Sequence, residues 1–201
     1  MLDEGPGAAP RPSGRTHAVG SRVVAAVKRV VVLGAESTGK STLAAALAER
    51  YTTVWNPEYG RPYTQIGRPP DAPWTSEEFT HIARIHCWYE DFLAGFAREV
   101  LFGDTDAFTT AVFHEVYLGR PATAFPELVA RAYDLYLVCG LDAPWRHDGI
   151  REFEEQRRTM HDRYVEHARA TGRPWLLVEG PLARRVEAAS VAVDRMLTEG
   201  R

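Results

Sequence analysis

With 201 residues, 45% hydrophobic and 25% charged, the chain has the apolar material for one ordinary core, which excludes a largely disordered protein. Its 24 Lys and Arg against 27 Asp and Glu give a net charge of −3, which excludes duplex binding driven mainly by phosphate neutralisation. Cys87 and Cys139 are too far apart for metal-ligand spacing and too few for a disulfide scaffold, and no apolar run reaches the ~18–20 residues of a membrane span.

The opening Met1-Leu-Asp-Glu-Gly-Pro lacks the basic-then-apolar order of a secretory signal. The expectation is a cytoplasmic protein with no membrane and no nucleic-acid partner; the oligomeric state stays open. Residues 1–22 are rich in Gly, Pro, Ala and Arg without hydrophobic period, and read as a disordered tail. Residues 23–201 read as one domain.

Arg29-Val-Val-Val-Leu-Gly34 is a β-branched run of the kind buried on both faces of a parallel sheet. A helix follows over about Lys40–Arg50, with Leu43, Ala46 and Leu47 on one side. Thr53-Val-Trp55 predicts a second strand, stopped by Pro57, and the proline-rich stretch from Gly60 to Pro73 a long loop. Thr75-Ser-Glu-Glu78 is a capping-box pattern. Behind it Phe79, Ile82, Ile85, Tyr89, Phe92, Leu93 and Phe96 recur every three or four residues, predicting a long amphipathic helix. His81 and His86 on that helix read as partly exposed structural residues. A third strand begins at Glu99 and ends at Asp104; a helix covers about Asp106–Leu118; Tyr133–Cys139 is a fourth strand and Pro144–Arg151 a loop. Glu152–Thr171 reads as a helix closed by Gly172 and Pro174, Trp175–Val178 as a fifth strand, and Leu182–Leu197 as the last helix.

Strands alternating with helices predict an α/β fold, a five-stranded parallel sheet with helices on both faces. Ligands of such sheets bind beyond the carboxyl ends of the strands. The loops at Gly34–Ser41, Glu58–Arg68, Asp104–Asp106, Ala143–Arg151 and Gly180 are therefore expected to share one edge.

Gly34, Ala35, Glu36, Ser37, Thr38, Gly39, Lys40, Ser41 and Thr42 follow the first strand and open the first helix. The order G-x-x-x-x-G-K-S between strand and helix is that of a phosphate-binding loop. Its glycines let consecutive amides face an anion, Lys40 can reach the β/γ-phosphates, and the Ser41 hydroxyl can join a Mg²⁺ shell. The loop licenses binding of a nucleoside triphosphate with Mg²⁺ and no narrower activity. At the third strand's end, Asp104 is placed to face those phosphates, whereas Asp106 reads equally as a functional carboxylate or as the cap of the next helix. After the second strand, Glu58 can accept a hydroxyl proton and Arg61 can steady phosphate charge, or both can stay solvated beside a turn. Arg146 and Arg151, with Arg157 and Arg158 downstream, either serve a closing loop or pair with Glu152, Glu154 and Glu155. Trp74 can stack on an aromatic substrate or pack in the core.

Taken together, the sequence resembles the kinase domain of NadR-type proteins, the ribosylnicotinamide kinases. The likeness lies in Gly34–Leu43, in Glu58-Tyr59-Gly60-Arg61-x-Tyr63, and in Trp74-Thr-x-x-x-Phe79-x-x-Ile82-Ala83. It continues through Asp104-Thr-Asp106, Tyr133-Asp-Leu-Tyr136 and Pro144-Trp-x-x-Asp148-Gly-x-Arg151. The resemblance implies a P-loop kinase fold with a short lid. It also implies transfer of the ATP γ-phosphoryl group to the 5′-hydroxyl of nicotinamide riboside, giving nicotinamide mononucleotide. ATP and Mg²⁺ are the implied cofactors, and the partner is a small nucleoside. The implied catalytic residues are Lys40, Glu58, Asp104 and Arg151, the last in the lid; Ser41 and Asp104 stand on the metal side. Glu58, Tyr59, Arg61, Tyr63, Trp74 and Asp106 would meet the substrate, and Gly180 would lie near the adenine. Whether Glu58 or Asp104 is the base stays open. Tyr59-Gly60-Arg61 stands where the family pattern has Tyr-Ala-Arg. The best-known members carry this kinase behind a nucleotidyltransferase domain, some with a helix-turn-helix besides; with only a short tail before the first strand, neither is expected here. The alternatives are another nucleoside or nucleotide kinase, or a nucleotide-dependent regulatory ATPase module.

Overall fold

A computed structural model describes residues 26–142 and 156–199. Its centre is an all-parallel sheet of five strands: β1 (Lys28–Leu33), β2 (Trp55–Asn56), β3 (Val100–Asp104), β4 (Leu135–Cys139) and β5 (Trp175–Val178), in the order β2-β3-β1-β4-β5. β1 pairs with β3 from Lys28↔Val100 to Val32↔Asp104, and with β4 from Val30↔Leu135 to Leu33↔Val138. Val30 to Leu33 are fully buried, as an unbroken β-branched run requires when both faces of the sheet are covered.

Alternation along β1 separates the two faces. Val30 and Val32 meet Leu43, Ala44 and Leu47 of helix α1 (Lys40–Arg50) and Ala189 and Val193 of the last helix, α7 (Leu182–Glu199). Val31 and Leu33 meet Val112, Met160 and Tyr164 on the opposite face. Val112 belongs to α4 (Ala107–Leu118), and Met160 and Tyr164 to α6 (Arg157–Ala170). α1, leaving β1, and α4, leaving β3, thus diverge to opposite faces. Their divergence leaves a crevice beyond the carboxyl ends of these two neighbouring strands, where such sheets bind ligands. Among the described residues no helix is long and apolar enough to cross a membrane.

Several expectations are corrected. β2 is Trp55–Asn56 rather than Thr53–Trp55: among the described residues it is an edge strand paired with β3, and Thr53 uses its hydroxyl on the Val100 carbonyl (2.8 Å) instead. The stretch read as loop from Gly60 holds a helical turn, α2 (Gly60–Pro62), running into a π-helix over Tyr63–Gly67. α3 (Ser76–Ala94) opens on the anticipated capping box, the Thr75 hydroxyl accepting from the Glu78 amide while Glu78 accepts from the Thr75 amide. Its apolar stripe, however, is buried only at the start: Tyr89, Phe92 and Phe96 are 44%, 50% and 63% exposed. Beyond Ile82 the inward positions are Ala83, His86, Cys87 and Glu90. His86, read as partly exposed, is in fact fully enclosed. A short helix, α5 (Pro126–Val129), has no forerunner in the sequence reading, and α6 is described only from Arg157.

Candidate active site

The loop after β1 is built to hold an anion. Gly34 has φ 151° and its missing side chain is required: a Cβ there would stand 2.9 Å from Thr38 Oγ1 and 3.1 Å from Cys139 Cβ. Ser37 and Gly39 also take positive φ, the alternation that turns successive amides into one concavity. The Thr38 hydroxyl donates to the Ala35 carbonyl at 2.7 Å, and Lys40 Nζ rests on the same carbonyl at 3.0 Å. At α1 the N-cap is Gly39, without a side-chain cap or any acidic residue in the first turn. By contrast α3 has its capping box and α4 is capped by Asp106. The first amides of α1 thus keep their donors and partial positive charge for a ligand.

Two cavities meet in front of this loop. One is lined by Glu36 to Thr42 together with Glu58, Arg61 and Phe113. Its neighbour has walls from Tyr59, Trp74, Phe79, Phe113 and Tyr117 and polar edges from Thr64, His86, Thr105 and Thr109. Glu36, Glu58, Arg61 and Phe113 face both. The junction between a phosphate-sized polar space and an aromatic-walled one therefore carries a carboxylate.

That carboxylate is perturbed. Burial raises the Glu58 carboxyl above the ordinary carboxylate range; Lys40 opposes the shift, Asp104 adds to it, and Arg61 opposes it. Asp104, 1% exposed, is likewise raised by burial, with Lys40 and a hydrogen bond from the Ser41 side chain acting against it. The Glu58 backbone amide also bonds Asp104, tying the ends of β2 and β3 together. Its Oδ1, buried, has no partner among the described residues. A free aspartate oxygen beside a serine hydroxyl fits a hard cation. Mg²⁺ needs only one or two carboxylates when phosphates and water complete its shell.

Of the residues singled out in the sequence, Gly34 to Thr42, Glu58, Tyr59, Arg61, Trp74 and Asp104 gather here. Asp106 does not line either cavity: its Oδ1 is engaged by the Thr109 amide (2.8 Å) and hydroxyl (3.0 Å), so the capping alternative describes it. Tyr63 is also absent from the walls, its hydroxyl turned to Glu78 at 3.3 Å. Gly180 sits behind the phosphate loop, its amide on Asp142 Oδ2 at 2.7 Å. Arg151, and with it the Pro144–Arg151 loop, lies outside the described residues.

Sequence reasoning missed the layer beneath. His86 Nε2 lies 3.2 Å from both Asn56 Nδ2 and the Thr105 carbonyl, and burial lowers its pKa, favouring the neutral ring. It joins the ends of β2 and β3 from α3, at Thr105, whose φ of 71° puts a non-glycine residue in the left-handed region. Phe113 and Tyr117, an i, i+4 aromatic pair on α4, carry the signal in the sequence for the far wall of the second cavity.

Comparison with known proteins places the chain. The family model described as AAA domain matches residues 29–185. The chain is similar to the Trifunctional NAD biosynthesis/regulator protein NadR of Escherichia coli (strain K12), 38% identical over 128 residues, 62% of this chain and 31% of that protein. Among solved structures it is similar to NadR protein in complex with NR, with TM-score 0.71 and 24% identity over 86% of this chain and 52% of that one. It is also similar to NadR protein in complex with NAD and AMP-PNP, with TM-score 0.70 and 23% identity over 86% and 50%. At these identities the structural likenesses speak for the fold: a parallel P-loop sheet. The chain spans about a third of its curated relative and half of those structures.

Proposed function

We propose that this chain, which belongs to the AAA domain family, is a small-molecule kinase that moves the γ-phosphoryl group of ATP to the 5′-hydroxyl of nicotinamide riboside, giving nicotinamide mononucleotide. One observation carries the reading: Glu58 stands where a phosphate-loop cavity and an aromatic-walled cavity join. A hydrolase or switch needs the first space; a nucleoside kinase needs both, with a carboxylate between them. The similarity to NadR proteins crystallised with NR and with AMP-PNP supports the choice of substrates.

In this reading the loop amides from Glu36 to Ser41 and the uncapped α1 terminus hold the triphosphate, and Lys40 leaves the Ala35 carbonyl for the β/γ-phosphates. Ser41 and Asp104 would hold Mg²⁺, which would supply neutralisation of charge on the phosphates. Tyr59, Trp74, Phe113 and Tyr117 enclose the nicotinamide ring; a pyridinium cation on aromatic faces gains cation–π attraction beyond its apolar burial. Glu58 is the base, because it faces both cavities, whereas Asp104 is enclosed against Ser41. Its raised pKa brings it closer to that of the attacking hydroxyl. Arg61 steadies the transferring group. The reaction belongs to the cytoplasm, the compartment that also suits free, buried Cys87 and Cys139.

The test is a panel of acceptors with ATP–Mg²⁺, following the phosphorylated product chromatographically. Nicotinamide riboside is expected to give the largest kcat/KM. Preference for thymidine, deoxyadenosine or a nucleoside monophosphate would move the chain to another kinase specificity.

A further inference from the structure

Arg185, a residue of α7, lines neither of the two cavities. Arg185 is 5% exposed, and all three guanidinium nitrogens are engaged. Nη1 donates to the Thr38 carbonyl at 2.5 Å, Nε to the Gly180 carbonyl at 2.8 Å, and Nη2 to Asp142 Oδ1 at 2.7 Å. Asp142 completes the ring by accepting the Gly180 amide on Oδ2. The phosphate loop, the end of β4 and the turn after β5 thus share one cation.

The contact with Thr38 bears on the site. Thr38–Gly39 is a planar trans peptide, so its C=O and N–H point in opposite directions. With the carbonyl pinned to a guanidinium behind the loop, the Gly39 N–H is turned away from α7 and toward the cavity that Gly39 lines. Gly39 itself, at φ 83° and without a side chain, offers little resistance to a flip of that peptide. The restraint has to come from outside the loop. A guanidinium spreads its donors over three nitrogens in a plane and so reaches acceptors on three separate segments, whereas the three donors of an ammonium radiate from one nitrogen on which the acceptors would have to converge.

We infer that Arg185, held by Asp142, is a positioning residue that keeps the Gly39 amide aimed at the nucleotide phosphates. The inference rests on the phosphate-loop part of the proposed function, not on the identity of the acceptor.

The experiment compares wild type, R185K and D142N. It measures AMP-PNP–Mg²⁺ binding by calorimetry, nicotinamide riboside binding separately, the unfolding midpoint, and the ¹⁵N resonance of Gly39, which reports the hydrogen bond on the preceding carbonyl. R185K is expected to weaken AMP-PNP by about tenfold or more, the loss of a charged hydrogen bond, to shift the Gly39 resonance and to leave nicotinamide riboside affinity unchanged. D142N, which keeps the packing but removes the charge, moves the same readouts in the same direction by less, and stands in should R185K not fold. An unshifted Gly39 resonance with unchanged AMP-PNP affinity in the folded variants overturns the proposal. So does parallel loss of both affinities and of the unfolding midpoint, the mark of a general structural role. Wild type that fails to bind AMP-PNP overturns the nucleotide reading and this proposal with it; wild-type binding beside an unaffected R185K overturns the proposal alone.

Discussion

Replacing Glu58 by Gln is expected to lower kcat for nicotinamide riboside by about 10²–10⁴-fold, the range general-base catalysis supplies, while AMP-PNP binding stays close to wild type. The substitution keeps the size and one acceptor oxygen but removes the capacity to take a proton. It also removes a charge from beside Lys40, Arg61 and Asp104, so nucleotide affinity should not suffer. A pH profile sharpens the test. Burial raises the Glu58 carboxyl, so the basic form is lost as pH falls through a value above the ordinary carboxylate range. The acid limb of kcat/KM should lie there in wild type and vanish in Glu58→Gln. If the variant keeps full rate, the proton goes elsewhere and the role assigned to Glu58 is wrong. A regulatory ATPase would show a different pattern: slow hydrolysis indifferent to nucleoside, with Glu58→Gln changing little.

The second large effect is on stability. Glu90 of α3 is 2% exposed and accepts from Arg29 Nη1 and from the Tyr133 hydroxyl, each at 3.1 Å, with Arg131 Nη2 at 3.6 Å. Asp91 Oδ1 takes the other Arg29 nitrogen, Nη2, at 2.8 Å and the same Arg131 Nη2 at 2.6 Å. This network ties α3 to the start of β1 and to the segment before β4, at the opposite end of the sheet from the site. Glu90→Ala leaves two cations and a buried hydroxyl short of their shared acceptor, a loss of about 3–5 kcal/mol and on the order of 10 °C in Tm. Chemical denaturation checks it. A loss near zero would mean that the exposed Asp91 alone satisfies both arginines.

Much of this was legible because local and global signals agree. The β-branched run of β1, the glycine spacing behind it and the capping box at Thr75 are each short-range patterns whose tertiary surroundings reinforce them. Glu58 and Asp104 were legible as strand-end carboxylates once the sheet was parallel. The misreadings have physical causes. Asp106 follows Asp104 by two residues, yet Thr105 turns the chain through a positive φ, so one carboxylate stays at the strand end and the other caps α4. Apolar period alone assigned Phe92 and Phe96 to the inward face of α3, but there the inward place is taken by Glu90, which meets Arg29 and Tyr133, and Phe96 lies past the helix end at Ala94, so both rings stay exposed. His86 looked like a surface residue because its polarity says nothing of the Asn56 and Thr105 groups waiting for it. Arg185 was invisible for the same reason. A single arginine on an amphipathic helix gains its meaning only from the carbonyls that three distant segments bring to it.

The most direct test of the account is ³¹P NMR of a mixture of the protein, ATP–Mg²⁺ and nicotinamide riboside. The account predicts that the γ-phosphate resonance of ATP decays as a phosphomonoester on the riboside 5′-oxygen grows in step with ADP. Orthophosphate appearing with ADP at a rate unaffected by the riboside, and no new phosphomonoester, would contradict it.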